Sequence, residues 1–306
     1  MAEKKFRGKI FDDPWESLSK GDREVMQTLW EGYLQESLQV SPKGGRFKII
    51  RKQIEDAAGY REIFQNWNTL EPPARSVAWR RLMTTARTKL SALGQECARC
   101  GECCERSSPT LLTRDLGLFQ QDVLTWNEVY TLRAGEQAAD REAQVVTLAG
   151  ERLKVRETPG AHQCWFYQAA TRKCRIYDQR PEQCRRQECW SEPAAPPAPE
   201  EFLTRRDLLA GAPEILEIIT AHEQRCDLKK LIQALADVAD GQEEAGDALF
   251  DALHFDQSLR QMLQEEWELS ANAVEFLLGR PLPEFLKGLG VKAIPTLEGS
   301  FRLQPK

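Results

Sequence analysis

The sequence predicts a mainly α protein with a small irregular α+β cysteine-rich, metal-binding core and a short β-hairpin. Three observations carry this expectation. Apolar residues recur at helical spacing in both ends of the chain, β-branched and alternating residues surround Ala149-Gly150, and eight of nine cysteines fall within residues 97–189.

Residues 15–40 and 75–96 read as helices. In the second, Val77, Leu82, Ala86 and Leu90 fall near helical spacing behind Glu71-Pro72-Pro73. Proline suits a helix start because its missing N–H has no partner there anyway. Between these helices SPKGGR, residues 41–46, reads as a loop. Thr125 and Glu128 in TWNEVYTL match a capping box, which predicts a short helix. QVVTLAG and ERLKVRE then predict a hairpin around Ala149-Gly150. In CWFYQAATRKCRIYDQRPEQCRRQEC, residues 164–189, Trp165-Phe166-Tyr167 and Ile176-Tyr177 flank a polar turn. Two short strands there would bring Cys164 and Cys174 together, and Pro181 would open a short helix, Glu182–Arg186, presenting Cys184. SEPAAPPAPEE, residues 191–201, is a proline-rich linker of extended character. Helices follow over roughly 201–209, 212–224, 227–239, 244–267, 271–279 and 282–289, with Gly279-Arg280-Pro281 as a stop. The expected organisation is a helical region 1–94, a cysteine-cluster domain 95–190, the linker 191–201 and a helical region 202–306.

At 306 residues the chain can bury a proper core and needs no disulfides to fold. Its net charge is −5, unevenly spread. Residues 1–95 hold 17 Lys/Arg against 12 Asp/Glu, and the remainder holds 25 against 35. That asymmetry is too weak to signal nucleic acid. The N-terminus has no apolar stretch of the secretory kind and no segment approaches a membrane span, so the expected location is the cytoplasm. Thiols are kept reduced there, and clustered cysteines then point to metal or redox chemistry.

Cys97, Cys100, Cys103 and Cys104 read Cys-x2-Cys-x2-Cys-Cys; Cys164, Cys174, Cys184 and Cys189 follow at wider spacing. All eight are candidate metal or cluster ligands. Zinc takes four ligands in a tetrahedron, and a four-iron cluster commonly takes four thiolates. The fourth position of a bacterial ferredoxin run falls on Ser107, as does the third cysteine of a radical-SAM spacing. Gly101 stands where covalent haem attachment needs histidine. In an extended segment successive side chains face opposite ways, which predicts different roles for Cys103 and Cys104.

CARCGECC, followed by Cys-x-Ile-Tyr-x3-Arg-Pro-x2-Cys at Cys174, Ile176, Tyr177, Arg180, Pro181 and Cys184, resembles the YkgJ-type cysteine-cluster family. Cys164 and Cys189 sit where members often carry further cysteines. The pattern covers about 95–190 and is similar to that of the flagellin lysine-N-methylase. The resemblance implies zinc or iron chelation, and members are often called iron–sulfur oxidoreductases.

Arg175, Arg180, Arg185, Arg186 and Lys173 place positive charge around the second cysteine group, where cations favour thiolates. His162 is an alternative ligand, and Tyr177 a candidate proton donor or a packed aromatic. Trp126, Trp165 and Trp190 would shield a redox centre or form core. His222 and His254 read as surface or core residues, and Cys226 as a structural thiol. The pairs Asp12-Asp13 and Glu243-Glu244 read as solvated charge. No phosphate-binding loop, His-Glu-x2-His or Gly-x-Ser-x-Gly is present.

Three functions fit. The first is an iron–sulfur protein, with a four-iron, four-sulfide cluster as cofactor, acting as an oxidoreductase or methyltransferase-like enzyme. The second is a zinc-binding structural or interaction module without catalysis. The third is thiol redox sensing by Cys103 and Cys104. A protein partner or protein substrate would meet the helical flanks, with no membrane involved.

Overall fold

The computed structural model describes residues 14–38, 42–93, 97–139, 145–189, 195–240, 242, 244–296 and 301–305. Trp190, Asp12, Asp13, Glu243 and the first part of the proline-rich linker lie outside them. The chain is mainly α-helical. In order it forms α1 (Trp15–Lys20), α2 (Arg23–Leu38), α3 (Gly45–Ala58), α4 (Tyr60–Asn66), α5 (Pro72–Leu93), α6 (Glu102–Arg106) and α7 (Leu116–Gln120). Then come β1 (Val129–Leu132), β2 (Gln137–Ala139), β3 (Val145–Thr147), β4 (Arg152–Val155), β5 (Tyr167–Gln168), β6 (Lys173–Cys174) and α8 (Glu182–Arg186). The last stretch holds α9 (Arg205–Leu208), α10 (Pro213–Arg225), α11 (Leu228–Ala239), α12 (Glu244–Glu265), α13 (Ala271–Leu278), α14 (Leu282–Gly288), β7 (Val291–Pro295) and β8 (Phe301–Pro305). No helix among the described residues is long and apolar enough to cross a membrane.

These elements group into two compact units that interleave along the chain. The first comprises Met1–Glu105, Tyr167–Arg175 and Gln187–Ala194; the second comprises Arg106–Phe166, Ile176–Arg186 and Ala195–Lys306. Segment 95–190 therefore contributes to both.

In the first unit, α1 to α5 enclose a core around the fully buried Trp30 and Trp67. Phe47, Ile50, Ile54 and Ala58 share one face of α3, and all four are buried. Trp30 stacks on Tyr33 at 5.8 Å, and its indole donates to Glu55 Oε1 at 3.1 Å. The expected single helix 15–40 is broken at Gly21-Asp22. Asp22 Oδ1 accepts from the Glu24 and Val25 amides, both at 3.0 Å, which caps α2 afresh. The Gly21 carbonyl turns away to accept from Arg75 Nη1 at 2.8 Å and Trp67 Nε1 at 3.2 Å. Helix α5 starts at Pro72, on the expected Glu71-Pro72-Pro73 signal.

In the second unit, the expected hairpin is rearranged. β1 pairs antiparallel with β4, from Val129↔Val155 to Leu132↔Arg152, and β2 pairs with β3 inside that pair. Burial explains the choice. Leu153 and Val155 are buried with Val129 and Leu132, whereas Val145 and Val146 are exposed. Thr125 and Glu128 do form reciprocal bonds, with the Thr125 amide donating to Glu128 Oε2 at 2.7 Å. No helix follows, because Val129-Tyr130-Thr131-Leu132, β-branched and aromatic, extend into β1. Helix α13 covers β1, and Trp126 stacks on Phe276 at 5.2 Å.

Helices α10 to α14 stand close to their expected positions. Asp227 caps α11 by accepting from the Lys229 amide at 2.9 Å, and Ser270 caps α13 through the Ala273 amide at 3.1 Å. Asp256 of α12 is buried; His222 Nε2 donates to it at 2.8 Å, Arg260 Nε at 3.0 Å and the Leu282 amide at 3.1 Å. Arg205 is buried between Glu151 and Glu223.

Candidate metal centre

The CARCGECC segment is turned by two residues in the left-handed region, Arg99 at φ 54° and Gly101 at φ 86°. The Arg99 amide approaches Cys97 Sγ at 3.4 Å. Ala98 packs against the core of the first unit, which anchors the turn to the helices. The Glu105 amide donates to the Gly101 carbonyl at 2.8 Å and opens α6, which carries Cys103 and Cys104.

That helix corrects the extended geometry expected for the adjacent cysteines. Successive helical side chains are about 100° apart rather than opposed, and the two sulfurs stand 3.9 Å from each other. Their surroundings still differ. Cys103 is exposed and acts electrostatically on Cys100 and Cys189, whereas Cys104 is half-buried and acts on Tyr167. The Cys104 hydrogen bond outweighs burial and draws the Cys103 thiol down to about 7. Burial pushes the Cys100 and Cys189 thiols up, the latter partly offset by Arg46.

Cys97, Cys100, Cys103 and Cys189 thus share the first unit, with Cys103 and Cys189 both influencing Cys100, while no three of these sulfurs lie mutually within 4.8 Å. Soft sulfur donors in this number suit zinc or an iron–sulfur cluster. Cys174 belongs to the same unit, paired with Tyr167 across β5 and β6. Cys164 and Cys184 belong to the second unit. Cys164 is buried and bridges Glu157 rather than pairing with Cys174; the two-residue strands begin three residues after it. Cys184 sits half-buried on α8, in the short helix expected for it.

Residues 96–207 match the family model described as CxxCxxCC, putative zinc- or iron-chelating domain. The chain carries a CxxCxxCC domain. All eight candidate cysteines lie inside the matched residues, and the domain makes this a metal-binding cysteine-cluster protein, for zinc or iron. No curated protein and no solved structure matches the chain.

Around the CxxCxxCC cysteines, several expected cations have local partners. The Arg180 guanidinium lies 4.2 Å from the Tyr177 ring, Arg185 Nε donates to the Arg180 carbonyl at 3.0 Å, and Arg186 pairs with Glu182 and Glu201. His162 is exposed beside Glu157 at 3.5 Å. Trp126 is packed, and Trp165 is exposed. His254 lies against Phe301. His222, Cys226 and Asp256 are the one trio among the described residues whose ligand-type atoms all lie within 4.8 Å. Both Asp256 oxygens are occupied by Arg260, His222 and Leu282, and Arg133 adds a second cation beside the thiol. That arrangement is a hydrogen-bonded core network, poorly suited to a cation.

Arg46, Gly45, Glu102 and Tyr167 surround the thiols without having been expected there. Gly44-Gly45 in SPKGGR was the available signal, and its contact lies 57 residues away in Glu102.

Proposed function

We propose that the chain is an iron–sulfur protein with redox or group-transfer activity, an oxidoreductase or methyltransferase-like enzyme. The ligand pool is the eight domain cysteines, six in the first unit and Cys164 and Cys184 in the second. One observation carries the reading: the first unit alone holds six of these thiols, with Cys103 and Cys104 3.9 Å apart among them, two more than a single tetrahedral ion takes. A four-iron, four-sulfide cluster uses such thiolates and leaves a neighbouring thiol for chemistry. Such a centre suits a reducing compartment such as the cytoplasm, and the helices outside the domain offer surface for a protein partner or protein substrate.

The second reading is a zinc-binding structural module, favoured by the donor type, since four thiolates are a common ligand set of structural zinc. Anaerobic purification with visible absorption and metal analysis separates the two. The expected result is iron and sulfide with a charge-transfer band. A colourless protein with stoichiometric zinc overturns the iron–sulfur reading and leaves the structural one.

A further inference from the structure

The thiols of the first unit stand against a segment outside residues 96–207, the turn Lys43-Gly44-Gly45-Arg46 that opens α3. The Gly45 amide donates to Glu102 Oε1 at 2.7 Å, and the Cys100 thiol points to Glu102 Oε2 at 4.0 Å. A Cβ at Gly45 would lie 3.2 Å from Cys100 Cβ and 3.4 Å from Glu102 Cγ. Glycine is therefore what lets this backbone approach the cysteine loop.

The next residue, Arg46, is buried, with 4% of its surface exposed, and its charge reaches Cys189. A guanidinium held away from water is stabilised by facing negative charge. A zinc ion or an iron–sulfur cluster ligated by four thiolates is a negatively charged group, which a nearby cation offsets. Burial also strengthens the interaction by lowering the local dielectric.

We propose that the Gly44–Arg46 turn is part of the metal centre: Arg46 faces the thiolate ligands as a cationic wall, and Gly45, tied to Glu102, sets the position of Cys100. The proposal rests on metal binding by the domain cysteines and holds for zinc or iron. Arg46 is a positioning and charge-balancing residue; it ligates nothing. The domain would then borrow one wall of its site from the N-terminal helical region.

The test uses the full chain under anaerobic conditions, with zinc(II) as probe and a chromophoric chelator as competitor. Wild type, Arg46→Gln, Arg46→Lys and Gly45→Ala are compared, with circular dichroism and melting of each metal-free form. Arg46→Gln should weaken zinc binding roughly tenfold or more, as loss of one close opposite charge does. Arg46→Lys should restore most of it, which a purely packing role would not do. Gly45→Ala, with the charge intact, should weaken binding severalfold by displacing Cys100. Wild-type affinity in both Arg46→Gln and Gly45→Ala overturns the proposal, as does equal loss in Arg46→Lys and Arg46→Gln. If Arg46→Gln fails to fold without metal, Gly45→Ala decides alone. A wild-type chain that binds neither zinc nor iron fails differently, and removes the metal-binding reading itself.

Discussion

The Tyr167 hydroxyl fills the space that a side chain at Gly101 would need. A Cβ built there would stand 1.9 Å from Tyr167 Oη and 2.5 Å from Cζ. Tyr167 pairs with Cys174 across β5 and β6, and its hydroxyl donates to Glu105 Oε1 at 3.3 Å. Through this one contact the CARCGECC turn is seated on the second cysteine segment of the same unit.

Gly101→Ala should therefore cost more than an ordinary glycine substitution. The left-handed backbone alone costs roughly 1–2 kcal/mol for alanine, and displacing a buried ring adds roughly 1–3 kcal/mol. The expected outcome is a lower melting temperature with loss of bound metal. Gly150→Ala, where no atom lies within 4 Å, is the control and should be near neutral. Retention of full metal content by Gly101→Ala would show that the seating is dispensable.

Cys103 should titrate below an ordinary thiol in the metal-free chain. With its thiolate held at about 7 by Cys104, Cys103 should alkylate with iodoacetamide with a midpoint near neutral pH. Cys104→Ser should weaken that hydrogen bond and move the midpoint up. Peptide mapping after timed alkylation reads both values, and identical profiles for Cys103 in the two proteins contradict the assigned cause.

Cys226 should stand outside the metal chemistry. It is fully buried, its thiol donates to the Ala252 carbonyl at 3.6 Å, and burial pushes it up to about 12. Cys226→Ala should leave metal content at the wild-type level while lowering stability by about 1 kcal/mol. Serine in place of Cys100 or Cys189 should instead release metal. Metal analysis of the three variants is decisive, and loss of metal from Cys226→Ala would bring this core thiol into the site.

The helices of the C-terminal half were legible because their determinants are local. Gly279-Arg280-Pro281 marks a stop in the sequence, and in the structure Asp227 and Ser270 cap two helices while Pro213 and Pro281 stand at the starts of two. The cysteine pattern was legible for the same reason, as spacing within one short segment. Three features were not. Helices α3 and α4 follow a glycine pair that reads as loop, and Gly59 at φ 68° joins them without any polar signal. The pairing of β1 with β4 depends on which apolar face finds a cover, and α13 lies more than a hundred residues away. The turn at Gly45 meets the cysteine loop through Glu102, a long-range bond with no trace in either segment alone.

The buried Asp256 network should make the fold acid-sensitive in a defined direction. Burial would raise the Asp256 carboxyl, but the His222 bond and Arg260 outweigh it and hold it at about 2, against 3.8 when unfolded. Burial likewise keeps His222 below its ordinary 6.5 and therefore neutral, so its Nε2–H donates to the carboxylate. Both groups bind protons less readily folded than unfolded, so acid favours the unfolded chain. The His222 contribution should begin to fall as pH drops below 6.5. The Asp256 contribution, about 2 kcal/mol at 1.36 kcal/mol per pH unit, should be complete above about pH 4 and lost towards pH 2. Urea unfolding of the metal-free chain across this range measures the slope. Asp256→Asn should lower stability at neutral pH by roughly 3–5 kcal/mol, because Arg260 is left buried without its counter-charge, and should flatten the limb below pH 4. An acid limb in Asp256→Asn that overlays the wild type would place the proton linkage elsewhere in the chain.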